Sequence, residues 1–148
     1  MSLIRIVAIW TSLAAALLLS ACGGGGDSSS SSNSTFNGSI YVNTFNGRAG
    51  MTTDAASQAE ADTLASNACY TPTDGSKCTR LLTFGTGMCG AVARGSTYNP
   101  ATYQYGYTFS AESSSAAETA KANALAGCQK SGAVSCAVVS SRCNSNGT

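Results

Sequence analysis

The sequence predicts an α+β fold made of a duplicated strand–strand–helix–strand unit, with an antiparallel sheet, two helices and stabilising disulfides. Two stretches share one helical pattern, SQAEADTLASNAC at 57–69 and SAAETAKANALAGC at 115–128. Each follows a hairpin-like pair of strand runs and precedes a further strand run that begins near a cysteine. Runs of strands with few helices favour antiparallel pairing, and we expect both helices on one side of the sheet.

The two helices are marked by their first residues and by one repeated face. Each opens with S-x-x-E, the pattern of a capping box, in which serine and glutamate satisfy free backbone N–H groups. The two pairs are Ser57 with Glu60 and Ser115 with Glu118. Small residues then recur every four positions, which puts them on one helix face that can lie close to a sheet. These residues are Ala61, Ala65 and Cys69 in the first helix, and Ala120, Ala124 and Cys128 in the second.

The strand runs surround the helices in the same order in both halves. In the first half, SIYV and AGMTT are separated by Asn46-Gly47, a strong hairpin signal. In the second half, CGAVAR and TYQYGYTF are separated by a loop with Asn99-Pro100. The runs KCTRLLTF and SCAVVSSRC follow the two helices.

The N-terminus carries the pattern of an export signal. One positive charge, Arg5, precedes an apolar run from Ile6 to Leu19, which is too short for a comfortable membrane span. Leu19-Ser20-Ala21-Cys22 then resembles the lipobox of bacterial lipoproteins. That resemblance implies cleavage before Cys22 and attachment of fatty acyl chains such as palmitate to it. The alternative is an ordinary signal peptide cut near Ala21, with Cys22 paired elsewhere.

Three segments follow from these patterns. Residues 1–21 are the predicted lipoprotein signal peptide, and residues 22–35 are the lipidated cysteine and a Gly/Ser tether. Residues 36–148 are the predicted single disulfide-bonded domain, long enough for a modest core. Glycine rather than aspartate after Cys22 implies, by the same resemblance, an anchor in the outer membrane, with the domain in the periplasm or outside the cell.

The remaining six cysteines indicate disulfides, because an even number in an exported domain is typical of them. The rival interpretation is a thiolate metal site, but no C-x-x-C pair occurs, and we expect no metal and no cofactor. In each half a helix-end cysteine precedes a strand-start cysteine by eight or nine positions. The repeat therefore favours Cys69–Cys78 and Cys128–Cys136, and leaves Cys89–Cys143.

The repeated Ala-x-x-x-Ala-x-x-x-Cys helix, the strand after it and Cys-Gly-Ala-Val-Ala at 89–93 resemble a bacterial secreted family, the domain of unknown function 4189. The resemblance covers roughly residues 38–143. It implies an exported, disulfide-bonded α+β domain. It implies no catalytic residues.

Composition excludes several kinds of chemistry. The formal net charge is +1 with no basic patch, so we expect no nucleic-acid partner. No histidine is present, which removes the commonest general base and metal ligand. The run GTGMCG at 85–90 matches a nucleotide-binding pattern, but no helix follows it, so we interpret it as a turn. Arg94 and Arg142 are interpreted as solvated charges.

The run TYQYGYTF carries the best candidate for a binding surface. Tyr103, Tyr105, Tyr107 and Phe109 alternate along it, which puts them on one face of a strand. We favour a core face under the alanine helices, with Tyr105 buried. The alternative is an exposed platform for a sugar or protein partner, and Tyr98 and Tyr103 are its candidate binding residues.

Together these patterns favour a binding module without enzymatic activity, held to the membrane by its lipid anchor. Its expected partner is an envelope protein or the cell wall, and one version is an immunity or inhibitor protein against a cell-wall hydrolase. The alternatives are an enzyme that acts on envelope glycans without histidine, and a structural or stress-related envelope protein.

The lipid anchor is testable at one residue. We expect Cys22→Ser to abolish incorporation of a clickable fatty acid in cells, because only the thiol accepts the diacylglyceryl group. Undiminished labelling of the variant would show that the chain is not lipidated at Cys22.

Overall fold

A computed structural model describes residues 35–72 and 77–146. The first half contains β1 (Asn37–Val42), β2 (Ala49–Ala55), α1 (Gln58–Cys69) and β3 (Thr79–Phe84). The second half contains β4 (Cys89–Asn99), β5 (Gln104–Ser114), α2 (Ala117–Lys130) and β6 (Val134–Cys143). The order confirms the duplicated unit and the α+β class. The predicted signal peptide 1–21, Cys22 and the tether to residue 34 lie outside the described residues.

Each half forms its own three-stranded antiparallel sheet, with its first strand in the middle. In the first sheet β1 pairs with β2 and β3, and both ladders contain an irregularity. In the second sheet β4 pairs with β5 and β6. The β4–β5 ladder runs without a shift from Cys89 opposite Ser114 to Asn99 opposite Gln104. The second hairpin is therefore much longer than the first.

The two sheets pack face to face. Ile40 and Val42 of β1 share one buried cluster with Phe84 of β3 and Val92 of β4. Because side chains alternate along a strand, the neighbours of Val92 lie on the opposite face of β4 and meet α2 instead. The layers are thus α1, first sheet, second sheet and α2. The expectation of both helices on one side was wrong, because each sheet buries one face against the other and needs its own helix on the outer face.

The small-residue stripes lie against the sheets as predicted. All six residues of the two stripes are fully buried: Ala61, Ala65 and Cys69 in α1, and Ala120, Ala124 and Cys128 in α2. The approach is so close that a Cβ atom on Gly50 of β2 would collide with the carbonyl oxygen of Ala65. Small residues on both surfaces therefore set the distance between helix and sheet.

The two helices begin differently, so only one capping box forms. Ser57 Oγ accepts a hydrogen bond from the Glu60 N–H at 3.2 Å, and the Glu60 carboxylate accepts one from the Ala56 N–H at 3.0 Å. In the second half the cap is Ala116, with no side-chain bond, and Glu118 pairs with Lys121. The predicted box of Ser115 with Glu118 was wrong. The helix α1 begins directly after Ser57, whereas α2 begins two residues after Ser115, so Ser115 is not at the capping position.

Three disulfides join the elements. Cys69–Cys78 and Cys128–Cys136 each tie a helix end to the following strand, and Cys89–Cys143 links the start of β4 to the end of β6. The first two are the pairs that the repeat favours, and the third is the pair that it leaves. Cys89 and Cys143 also face each other directly in the β4–β6 ladder.

A buried asparagine directly after the last strand joins the two halves. The Asn144 amide donates to the carbonyl oxygens of Phe84 at 3.1 Å and Gly85 at 2.9 Å, at the end of β3. Its side-chain oxygen accepts from the N–H of Asp54 at 2.9 Å, near the end of β2. Its own N–H donates to the carbonyl oxygen of Met88 at 2.9 Å. We call this set of bonds the Asn144 clamp.

The clamp predicts a strong effect of a single side-chain truncation. Asn144 is only 3% exposed, so Asn144→Ala leaves an N–H and two carbonyl groups without their partner. We expect a loss of about 3 kcal/mol in the free energy of unfolding, measured in urea with the disulfides intact. Asn146→Ala, at an exposed position two residues on, is the control. A loss below about 0.5 kcal/mol for Asn144→Ala, the range of surface substitutions, would contradict the clamp.

Candidate functional site

An open groove lies at the end of the sandwich away from the Asn144 clamp, where β1 turns into β2 and β4 turns into β5. It has a volume of about 520 Å³. One side comes from the β1–β2 loop, at Thr44 and Phe45, and the other from residues 97–99, 102 and 104–106 of the β4–β5 hairpin. The groove therefore takes side chains from both halves of the duplicated fold.

Three aromatic rings stand exposed in this groove. Tyr98 and Tyr105 face each other across the β4–β5 ladder, with ring centroids 4.9 Å apart and planes tilted by 43°. They are 47% and 80% exposed, and Phe45 on the loop is 76% exposed. Three large rings close together form an exposed apolar patch, whose burial by a ligand would be favourable.

The exposure of Tyr105 shows that its predicted place in the core was wrong. The tyrosine face of β5 points toward the first sheet and not toward the alanine helix. At Phe109 that face is partly buried in the cluster between the sheets. Four residues earlier, the long hairpin has extended past the shorter first sheet, and Tyr105 has no sheet to cover it. The alternative of an exposed aromatic platform therefore describes this end of the strand.

The two candidate binding residues have different positions. Tyr98 lies in β4 and lines the groove. Tyr103 is 81% exposed but lies in the hairpin turn with φ of 54°, before β5 begins, and it is not among the residues that line the groove. The structure thus brings Tyr98 together with Tyr105 and Phe45, and leaves Tyr103 on the turn beside them.

The loop that carries Phe45 is fixed by its own hydrogen bonds. The Asn43 side-chain oxygen accepts from the N–H groups of Phe45 at 3.0 Å and Asn46 at 3.2 Å. The backbone N–H of Asn43 donates to the Arg48 carbonyl at 2.9 Å, and the N–H of Gly47 donates to the Asn43 carbonyl at 2.9 Å. The backbone that carries this exposed ring is therefore held in place before any ligand arrives.

The same loop is tied to the second sheet. The N–H of Tyr107 donates to the carbonyl oxygen of Thr44 at 3.1 Å, and Arg94 Nη1 donates to the carbonyl oxygen of Gly47 at 2.7 Å. The guanidinium of Arg94 also lies 5.1 Å from the centre of the Tyr107 ring, a cation–π distance. Arg94 was predicted to be a solvated charge, but it is a structural link between the halves. Arg142 is exposed, as expected.

Two features of the structure favour glycine at position 47. Its φ is +76°, a conformation that side chains disfavour, and a Cβ atom would lie 2.8 Å from the Tyr107 ring. The Asn-Gly pair that predicts the hairpin therefore also positions the loop against β5.

A second polar cluster lies between α1 and the first sheet. Asp62 accepts hydrogen bonds from Ser39 at 2.7 Å and Gln58 at 2.9 Å, and pairs with Arg80 at 2.8 Å. Burial alone raises the pKa of the Asp62 carboxyl, but these donors outweigh burial and hold the pKa below its ordinary value. Because Asp62 of α1 is bonded to Ser39 of β1 and Arg80 of β3, we interpret the cluster as a tie between α1, β1 and β3.

Other kinds of site find no support in the part of the chain that the structure describes. No group of three or more potential metal ligands lies together across residues 35–72 and 77–146. The helices in these ranges include none of the length and apolarity needed to span a membrane. Residues 85–88 form the predicted turn, in which the Met88 N–H donates to the Gly85 carbonyl at 3.1 Å.

Sequence reasoning missed Phe45 and Gln104 as members of the site. Asn46-Gly47 marks a hairpin, but a single phenylalanine before it carries no signal of exposure. Gln104 was placed on the non-aromatic face of its strand. Only the meeting of the two halves at the same end of the sandwich brings both to the groove.

Comparisons with known proteins and protein families identify the family of the chain. No curated protein and no solved structure matches the chain. A family model described as a domain of unknown function, DUF4189, matches residues 37–143, which includes all eight elements of the fold. The chain therefore belongs to the DUF4189 family.

Proposed function

We propose that this protein is a non-enzymatic binding module, anchored in the bacterial envelope through Cys22, that holds its ligand in the groove. The observation that carries the proposal is the set of exposed rings of Phe45, Tyr98 and Tyr105 on hydrogen-bonded structure. Soluble proteins seldom expose clusters of apolar side chains, and such clusters often mark interaction sites. An aromatic ring with few rotatable bonds gives contact area at a low cost in conformational entropy.

The lining of the groove supports binding rather than hydrolysis. It contains hydroxyl, amide and aromatic groups, and no carboxylate lies among the residues that form it. Hydrolysis of a glycan usually needs a pair of carboxyl groups on either side of the bond that is cleaved. The described carboxylate with a shifted pKa, Asp62, belongs to the tie between α1 and its sheet.

The anchor and tether place such a module where an envelope partner can reach it. In one form of the proposal the partner is a cell-wall hydrolase that the module inhibits, as an immunity protein does. In the other form the module binds the cell wall itself. The groove is the contact surface in both forms.

The proposal predicts that one pair of side chains controls retention of the partner. The full chain, in a detergent without a sugar headgroup, is immobilised and exposed separately to purified cell-wall sacculi and to envelope proteins. We expect the wild-type chain to retain either the sacculi or an envelope protein, and we expect the double variant Tyr98→Ala/Tyr105→Ala not to retain it. Since Tyr105 is largely exposed and Tyr98 about half exposed, the variant should lose no more than about 1 kcal/mol of stability, and its melting temperature checks this.

Val134→Ala is the matched control, because Val134 is exposed on β6 outside the groove. We expect it to retain the same component as wild type. Equal retention by all three proteins would show that the groove is not the binding surface. Release of new reducing ends from the sacculi by wild type would contradict the non-enzymatic part of the proposal.

A further inference from the structure

We infer that the ligand of the groove is a neutral oligosaccharide, whose sugar rings stack on Phe45 and on the Tyr98–Tyr105 pair. This inference rests on the proposed function and names the class of ligand. Four properties of the groove support it: its lack of charge, its free polar groups, its exposed rings and its shape.

The groove is lined by uncharged side chains throughout. Arg94, the cation that ties the β1–β2 loop to the second sheet, is not among the lining residues and is engaged by the Gly47 carbonyl and the Tyr107 ring. A groove for an anionic ligand, such as a phosphate or an acidic sugar, would be expected to present arginine or lysine. The charge of the groove therefore complements a neutral ligand.

The polar groups of the groove suit sugar hydroxyls. A sugar hydroxyl donates one hydrogen bond and accepts others, so its partners must include both donors and acceptors. Thr97 and Thr102 supply hydroxyls, and Gln104 supplies an amide that does both. Within the described ranges these three side chains have no hydrogen-bond partner in the protein, so they are free to bind a ligand.

The exposed rings suit the faces of sugar rings. The C–H groups on one face of a pyranose carry a small positive charge, and the face of an aromatic ring is negative. Phe45 comes from the loop of the first sheet, and Tyr98 and Tyr105 come from the hairpin of the second. A chain of sugars lying between the two would meet aromatic rings from both sheets.

The shape of the groove favours a chain ligand over a protein surface. Its volume of about 520 Å³ lies within the range of small-ligand sites, roughly 300–1,000 Å³. A protein partner would more often cover a flatter area of about 800 Å² on each side. The groove is open, so an oligosaccharide longer than the groove can extend beyond it.

The test is an NMR titration of the isotope-labelled full chain in a detergent without a sugar headgroup. The probes are short oligomers of N-acetylglucosamine and of glucose, with an oligomer of galacturonic acid of equal length as the acidic comparison. We expect at least one neutral oligomer to cause saturable shifts at the backbone amides of residues 44–46 and 97–106. We expect the acidic oligomer to bind at least about tenfold more weakly, a difference well resolved by such titrations.

Two variants and a control sharpen the test. Tyr105→Ala should weaken binding about tenfold, the loss of one stacked ring. Gly106→Val should also weaken it, by filling the groove. A Cβ atom on Gly106 would lie 3.5 Å from Thr97 Oγ1 and 4.0 Å from the Thr44 carbonyl oxygen, both ordinary contacts, and the melting temperature checks that the two further methyl groups leave the fold intact. Leu64→Ala, at a residue as exposed as Tyr98 but on α1, should bind like wild type.

Three results would overturn the inference. They are no shift with any neutral oligomer up to about 10 mM, equal binding of the acidic oligomer, and shifts that lie outside the groove. Because wild type is titrated directly, a variant that fails to fold does not affect these results. If no oligosaccharide binds but an envelope protein is retained through Tyr98 and Tyr105, the inference falls and the proposed function stands. If neither binds, both fall.

Discussion

The side chain of Asn144 holds together one end of the sandwich, and the arrangement of both sheets depends on it. Its amide bonds to the end of β3, and its oxygen bonds to the backbone near the end of β2. The residue before it is bridged to the start of β4 by the Cys89–Cys143 disulfide. The first sheet is therefore attached to the last residues of the second sheet by buried bonds, and the two sheets meet at a fixed end. From this end both sheets extend toward the groove.

The groove follows from a difference in length between the two halves. The strands of the first hairpin have six and seven residues, whereas those of the second have eleven each. With one end held by the Asn144 clamp, the longer hairpin extends beyond the shorter sheet at the other end. The side chains on its inner face change from partly buried at Phe109 to exposed at Tyr105. The β1–β2 loop, bonded to Tyr107 and Arg94, adds Phe45 to this end.

Features that depend on local spacing could be predicted from the sequence. The alanine and cysteine stripes, the Asn46-Gly47 hairpin and the pairs Cys69–Cys78 and Cys128–Cys136 all involve residues close together in the chain. Cys89–Cys143, 54 positions apart, followed only as the pair that remained. The exposure of Tyr105 could not be predicted, because period-two alternation identifies a face but not what covers it. The cap of α2 was missed for a smaller reason, since one residue of offset separates Ser115 from a capping position. Phe45 belongs to the site only through contacts between the halves, for which the sequence has no periodic signal.

The hydrogen bonds of the β1–β2 loop imply that the backbone of the groove is in place before any ligand binds. Native-state amide hydrogen exchange tests this directly, because it measures how often each backbone hydrogen bond opens. The amides of Tyr107, which donates to Thr44, and of Gly47, which donates to Asn43, are the informative ones. We expect their protection to approach that of Ala93, at the centre of β4. Exchange of both amides at the rate of an unstructured peptide, with Ala93 still protected, would show that the loop is loose and the groove is not preformed.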